Sequence, residues 1–534
     1  MSRIRKSRIA ITAVFAVAAV VLGGCTSGGG QVEGDTHKEA VYIEAITGNP
    51  QHLNSQVVNS PTVQRLSVAM MEPLVGLTHD YKVFPVLAEK WEFSKDGLEM
   101  TLHLRKGVTW HDGKPFTADD VKFNFEKVMP LQTYGPPMLA AISSVEAPDK
   151  NTVVLKLKSQ YGPLLETLSQ ELMLPQHLYD GTDVATNPYN LKPVGTGPMM
   201  YESFASGEEV VLVKNPKYWG GEVHVDRAVY PIMADGNART LALLSGDVDS
   251  AAVDPSQLTQ VAAHKELVHL KDGYFPQFIE LLMNAQNKFL SNPDVRAAVF
   301  SALDRKAILK VALSGQGQVA EGFFPPTLSW AIDKDVKFSK DFPYNADAIN
   351  DKLDDLGYTK GADGLRFTLN AKYITTLTDT SAAGEQAKSM LADVGIGLNL
   401  EGLTSTIFTE SVYKKSDFDL AFLRSTVGAD PSLGIARWYV CNPDKMAARN
   451  PSGICDEKIE AAAASAAGVT DRKERAKYFK DMQQRIRELI FFAPLAWTNA
   501  SFNTVNTSNW SGLDKFSDTT SAGNLNWLGM RPVE

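Results

Sequence analysis

Residues 91–125 read WEFSKDGLEMTLHLRKGVTWHDGKPFTADDVKFNF, and the architecture is worked out from them. The first part alternates. Met100, Leu102 and Leu104 fall on one side, and Thr101, His103 and Arg105 on the other. That period of two predicts a half-buried strand. Lys106-Gly107 breaks the alternation, and Asp112-Gly113 marks a turn. Thr117 then precedes Asp120 by three positions, as in a capping box, just after Pro115. Val121, Phe125 and Val128 recur at helical spacing and supply a buried face. The stretch predicts strand, turn, short extended piece and capped helix.

As a string it carries more. LRKGVTWHDGKPFTADDVKF (104–123), preceded by LAEKWEFSKDGL (87–98), resembles the signature of the peptide/nickel-type solute-binding proteins, the extracytoplasmic receptors of ABC importers. EPLVGL (72–77), PVGTGP (193–198), NPKYW (215–219), LALLSGDVD (241–249) and VRAAVFSALDRKAIL (295–309) continue the resemblance, which covers most of residues 40–500. It implies an α/β, two-lobed periplasmic-binding-protein-like fold with a hinge and an extra subdomain inserted in the first lobe. The implied division is 39–54, 191–272 and 500–534 for lobe I, 55–190 for the inserted subdomain and 273–499 for lobe II. In that family the signature belongs to the scaffold and does not name the ligand.

The amino terminus has its own chemistry. Residues 2–8 are basic, residues 9–22 form a run of 14 that is apolar but for Thr12, and Leu22-Gly23-Gly24-Cys25 resembles a bacterial lipobox. Cleavage after residue 24 would leave Cys25 as a lipidated first residue. The alternative is an ordinary secretory signal with an incidental cysteine. Residues 26–36, TSGGGQVEGDT, form a flexible tether, so 25–38 links an anchor to the globular part. The expected location is the outer face of the cytoplasmic membrane, held by lipid alone, since no other stretch approaches the ~20 apolar residues of a membrane helix.

At 534 residues the chain exceeds a single ordinary core. Its formal net charge is −9, and loss of residues 1–24, with four cations and no acid, leaves −13. An acidic chain without a later basic run disfavours nucleic acid as a partner.

Further elements follow from pattern. Val41, Ile43 and Ala45 alternate as a first strand, and 153–157 (VVLKL) and 210–213 are strands. Helices are expected over 164–174, 348–358, 384–394 and 473–491, the last closed by Pro494. Asn292-Pro293 opens another, with Val295, Val299, Ala302 and Leu303 as its apolar face. Strands are expected over 367–370 and 418–423. Alternation of strands and helices indicates α/β lobes.

Catalytic and cofactor readings find little support. His111-Asp112 could be a base and its orienter, but a turn explains both, and no G-x-S-x-G accompanies them. The nine histidines show no H-x-x-x-H pattern for a metal, and Gly315-Gln316-Gly317 lacks the continuation of a dinucleotide loop. No catalytic residue, metal or cofactor is assigned.

Cys441 and Cys455 enclose a turn-rich segment, CNPDKMAARNPSGIC. In an exported protein they read as a disulfide, with two buried thiols as the alternative. Some dipeptide-type members carry a similar pair.

The candidate ligand loop is Arg424, Ser425, Thr426, Val427, Gly428, Ala429, Asp430 and Pro431, where a strand opens toward a cleft. In the peptide-binding members this loop carries an aspartate for the peptide amino group, and counting from Asp430-Pro431 its place is taken by Val427. Arg424 stands where those members tend to have tryptophan and can pair with a carboxylate or phosphate, or else form an intralobe salt bridge. Lys372 and Tyr373 follow the 367–370 strand at the corresponding lobe edge. They are either ligand groups or a solvated loop lysine and its neighbour. Trp438 and Tyr439 fit core better than pocket wall.

The resulting expectation is a monomeric, lipid-anchored receptor that closes on a small-molecule solute and delivers it to ABC permease subunits. Peptides are the nearest substrate class by resemblance, with opines, oligosaccharides and chelated nickel as alternatives. An exported hydrolase and a surface adhesion or chaperone-like lipoprotein are the competing classes.

Overall fold

The computed structural model describes residues 39–57, 60–270, 275–498, 503–515 and 517–533. Cys25, the basic leader and the whole tether at 25–38 lie outside them.

Among the described residues, three large sheets, beside two two-stranded ones, carry the main apolar cores. The first has seven strands in the order Leu267–His269, Asn503–Asn506, Ser250–Ala252, Val41–Ala45, Arg227–Pro231, Glu209–Lys214 and Met199–Ala205. Val41–Ala45 runs parallel to both of its neighbours. The chain leaves this sheet after residue 269 and returns for Asn503–Asn506, so the sheet is assembled from distant segments. Along Val41–Ala45 the fully covered side chains include Tyr42 and Glu44, while Val41 and Ile43 are half-buried. The alternation is present, but Tyr42 occupies the main core of this sheet, in edge contact with Trp510 and Trp527.

The second sheet orders Gln318–Val319, Phe492–Thr498, Gln277–Met283, Leu420–Thr426, Phe367–Ile374 and Ile396–Leu403. Helices Pro293–Ser301, Arg305–Ala312, Thr378–Asp393 and Arg472–Leu489 add side chains to its core. Asn292 caps the first of these, its side chain accepting from the Asp294 N–H at 2.9 Å.

The third sheet, Ala88–Phe93, Glu99–Leu104, Thr152–Leu157 and Ile142–Asp149, is antiparallel throughout. Met100, Leu102 and Leu104 are its buried face, as their alternation requires. Helix Ala118–Phe123 follows, with the Asp120 carboxylate accepting the Thr117 N–H at 2.9 Å. Val121, Phe125 and Val128 are all buried.

Several expected boundaries move. The helix at 164–174 stops at Leu168, because the Ser169 hydroxyl donates to the Glu166 carbonyl and Leu172 instead pairs with Pro73. Pro494 does not close the long helix. That helix is Arg472–Leu489, and Pro494 lies inside strand Phe492–Thr498. The pairing with Gln277–Met283 skips a residue there, a bulge that accommodates a missing N–H. Lys372 and Tyr373 are within strand Phe367–Ile374 rather than after it, and Arg424, Ser425 and Thr426 are within Leu420–Thr426. Helix Thr378–Asp393 begins six residues before the expected Gly384.

Candidate ligand site

Helix Pro61–Met70 provides one wall. Ser60 caps it, accepting the Val63 N–H, and Pro61 sits at its first position. Leu66, Ala69 and Met70 pack inward, leaving Gln64, Arg65 and Val68 beside a cavity of about 440 Å³. The carboxy-terminal segment 519–528 lies along this helix. Asn524 donates to the Val68 carbonyl at 2.9 Å, and Arg65 donates to the Gly523 carbonyl at 3.0 Å. Arg65 also grips Glu44 through Nε and NH2 at 2.8 and 2.7 Å.

The opposite wall is where the quoted strings converge. Glu72, from EPLVGL, accepts from Tyr218 OH at 2.7 Å and Trp219 Nε1 at 2.8 Å, both from NPKYW. It also accepts from Thr196 Oγ1 of PVGTGP at 2.8 Å. Burial pushes its carboxyl up to about 7, against the pull of these donors and of Arg105. The Arg105 guanidinium stacks on Trp219 at 4.3 Å and donates through Nε to the Val86 carbonyl at 3.0 Å. Phe84, Leu172, Phe275 and Trp527 add apolar surface.

His111 clasps the same region from behind. Gly195 N–H donates to its Nδ1 at 3.1 Å, and Nε2 lies 3.0 Å from the Gly197 carbonyl, which requires the Nε2–H tautomer. Burial lowers its pKa to about 4. Asp112 faces His177 at 2.6 Å instead. His111-Asp112 therefore joins two scaffold segments.

The loop singled out in the sequence is reached through Tyr81. Its ring lies 5.3 Å from Phe275, and its hydroxyl donates to the Gly428 carbonyl at 3.1 Å. Gly428 has φ +78°, and a Cβ there would meet Gly434 backbone at 2.9 Å. Val427 is buried, and its N–H donates to the Pro276 carbonyl. Thr426 Oγ1 accepts the Gly428 N–H. Ser425 donates to Glu280 at 2.7 Å. Arg424 is paired with Asp379 at 2.9 Å, and Asp430 with Arg475 at 2.6 Å. Lys372 is buried, donating to Asp417 at 2.7 Å and Ser411 at 2.6 Å. It is no solvated loop lysine: as part of a strand its charge meets counter-charges. With Asp417 it lines a smaller hollow of about 280 Å³, apart from the large cavity. None of Arg424, Ser425, Thr426, Val427, Gly428, Asp430, Lys372 or Tyr373 lines the large cavity. Trp438 and Tyr439 are core, against Phe492.

Sequence reasoning did not single out Arg105, Glu72, Tyr218 or Trp219 as site residues. Their signal was present, because all four fall in quoted strings, but strings read as scaffold do not disclose which side chains meet. Cys441 and Cys455 form the expected disulfide, with Cα atoms 4.7 Å apart.

Residues 82–446 match the family described as bacterial extracellular solute-binding proteins, family 5. The chain belongs to that family. A Brucella ovis relative named an ABC transporter peptide-binding protein is 30% identical over 380 residues, 68% of this chain and 70% of that one. The dipeptide-binding protein of Escherichia coli is 30% identical over 358 residues, 61% of this chain and 64% of that one. Among solved structures, the ABC transporter substrate-binding protein CtaP of Listeria monocytogenes superposes with a TM-score of 0.81 at 21% identity, covering 93% of this chain and 100% of that one. As a family 5 protein the chain has the two-lobed α/β fold, and it is an extracytoplasmic solute-binding protein of an ABC importer. No helix among the described residues is long and apolar enough to cross a membrane.

Proposed function

We propose that this solute-binding protein captures a peptide or peptide-like solute and presents it to ABC permease subunits, acting as a monomer anchored through a lipidated Cys25. The observation that carries the ligand class is the cavity beside Phe275, where the chain enters the second sheet. Its volume suits a small ligand, and it combines aromatic walls with hydrogen-bonding groups such as Gln64, Asn524 and Asn526. The names of the relatives agree with it. In this reading 39–54, 191–272 and 500–534 form lobe I, 55–190 its inserted subdomain and 273–499 lobe II. Loop 424–430 closes on the solute from lobe II, transmitting its position through Tyr81, and ligand binding favours the closed arrangement. No covalent chemistry is involved. The test is mass spectrometry of solutes released by heat from protein purified out of the cell envelope without refolding. Peptides are expected. Release of oligosaccharide, opine or nickel chelate alone would replace the ligand class.

A further inference from the structure

We propose that Arg105 is the subsite for a carboxylate of the bound solute. The inference rests on the solute-binding reading above and concerns the same cavity.

Two arginines line that cavity, and they differ in what remains available. Arg65 has its Nε and NH2 on Glu44 and its NH1 on a backbone carbonyl. Arg105 uses Nε on the Val86 carbonyl. Among the described residues, its two terminal amino groups make no hydrogen bond, and it forms no ion pair within 4 Å. Glu72 cannot take that place readily, since Thr196, Tyr218 and Trp219 already supply three donors to its two oxygens.

The guanidinium is also held in place. Its Cζ sits 4.3 Å from the centre of the Trp219 ring and its Nε is bonded to the Val86 carbonyl, so the group is tethered on two sides. A planar fork with free terminal N–H groups is shaped for a bidentate carboxylate. Phe84, Val86 and Leu172 share the cavity wall with it, and apolar surface beside a charged hydrogen bond strengthens it. A half-buried guanidinium whose terminal amino groups have no bonded acceptor is costly, even with the Glu72 carboxyl nearby, and a solute carboxylate relieves that cost. A lysine would keep the charge but lose the stacked, two-pronged geometry.

The experiment is equilibrium dialysis of the full mature protein against a mixed library of tripeptides built from uncharged residues, and against the same library amidated at the carboxy terminus. Retained peptides are read by mass spectrometry. Wild type is expected to retain the free acids at least about tenfold better than the amides. Arg105→Gln should abolish that preference, and Arg105→Lys should keep part of it. Equal retention of acids and amides by wild type overturns the carboxylate subsite and leaves the peptide reading intact. So does an undiminished preference in a folded Arg105→Gln. Retention of neither library overturns the peptide reading and this inference together. Should Arg105→Gln fail to fold, the wild-type comparison and Arg105→Lys decide.

Discussion

Arg475 donates to Asp430 at 2.6 Å, and both side chains are only 1% exposed. The pair is fully supported. Arg475 also reaches the Ala466 carbonyl at 2.8 Å and Ser432 Oγ at 3.1 Å, while Asp430 accepts the Ser432 N–H at 2.8 Å. Trp330 and Phe479 cover the guanidinium. Asp430 thus braces the turn that carries Gly428 and Val427. Replacing both partners with apolar groups could be tolerated, but removing one strands the other without water. Arg475→Met should destabilise by about 3–5 kcal/mol in urea unfolding. A loss below about 1 kcal/mol would show that the surviving Asp430 finds another partner or a proton.

A second ionic contact joins the cores of the second and third sheets. Arg472 donates to Glu166 at 3.0 Å and to the Tyr81 carbonyl at 3.3 Å. Beside it Gly162 N–H donates to the Ala467 carbonyl at 2.7 Å. If the lobes part when solute leaves, these bonds break. Arg472 is half exposed, so the pair contributes only about 1 kcal/mol. Glu166→Gln should therefore raise the solute dissociation rate about fivefold with little change in association rate, measured by stopped-flow. An unchanged dissociation rate would mean that the contact does not open.

The Cys441–Cys455 bond closes a short loop. Fifteen residues correspond to roughly 3 kcal/mol of lost unfolded-state freedom. The double variant Cys441→Ser, Cys455→Ser should lose stability of that order without losing solute binding, since neither cysteine lines the large cavity. Calorimetric melting and a binding titration would check both halves.

Anchoring is tested directly. Intact mass of detergent-extracted protein should show diacylglycerol on an amino-terminal Cys25, and Cys25→Ser should release the protein from membranes. A mature chain that starts elsewhere and is recovered wholly in the medium would contradict it.

What could be read in the sequence and what could not divide along a physical line. Alternation at Met100, Leu102 and Leu104 and the Thr117–Asp120 spacing are local signals, and local structure follows them. The quoted strings identified the family because they are contiguous. Partners far apart in the chain were illegible. Nothing near Arg424 points to Asp379, which lies 45 residues away, and nothing near Lys372 points to Asp417. Arg424 therefore read as either a ligand group or half of a salt bridge, and Lys372 as either a ligand group or a solvated lysine, because their counter-charges were invisible. Pro494 misled for a related reason. A proline after a helix is a stop signal, and only pairing with Glu280 across a bulge makes it part of a strand. The strings holding Glu72, Thr196, Tyr218 and Trp219 each read as scaffold, and their convergence on one carboxylate appears only in three dimensions.

Glu280 makes stability depend on pH. It is buried in the second sheet, accepts Ser425 Oγ at 2.7 Å, and feels Arg437, Tyr413 and Tyr439 nearby. Burial outweighs the Ser425 bond and the Arg437 charge, and pushes its carboxyl up to about 8. The native state therefore holds a proton that the unfolded chain releases from about 4.5 upward. Stability is fully present below that lower value and is lost progressively as pH rises to about 8, levelling off above it. Glu72, raised to about 7, and Glu171, raised to about 8, act in the same direction. His111, lowered to about 4, acts oppositely, adding stability as pH rises from 4 to 6.5. The wild-type profile is thus a sum, and the informative quantity is the difference between Glu280→Gln and wild type. The amide keeps the acceptor for Ser425 and cannot ionise. Its stability relative to wild type should rise between pH 5 and 8 by an amount on the order of a few kcal/mol, then stay level. Urea unfolding at pH 5, 6, 7, 8 and 9 would measure it. A difference independent of pH would mean that Glu280 does not titrate in this window.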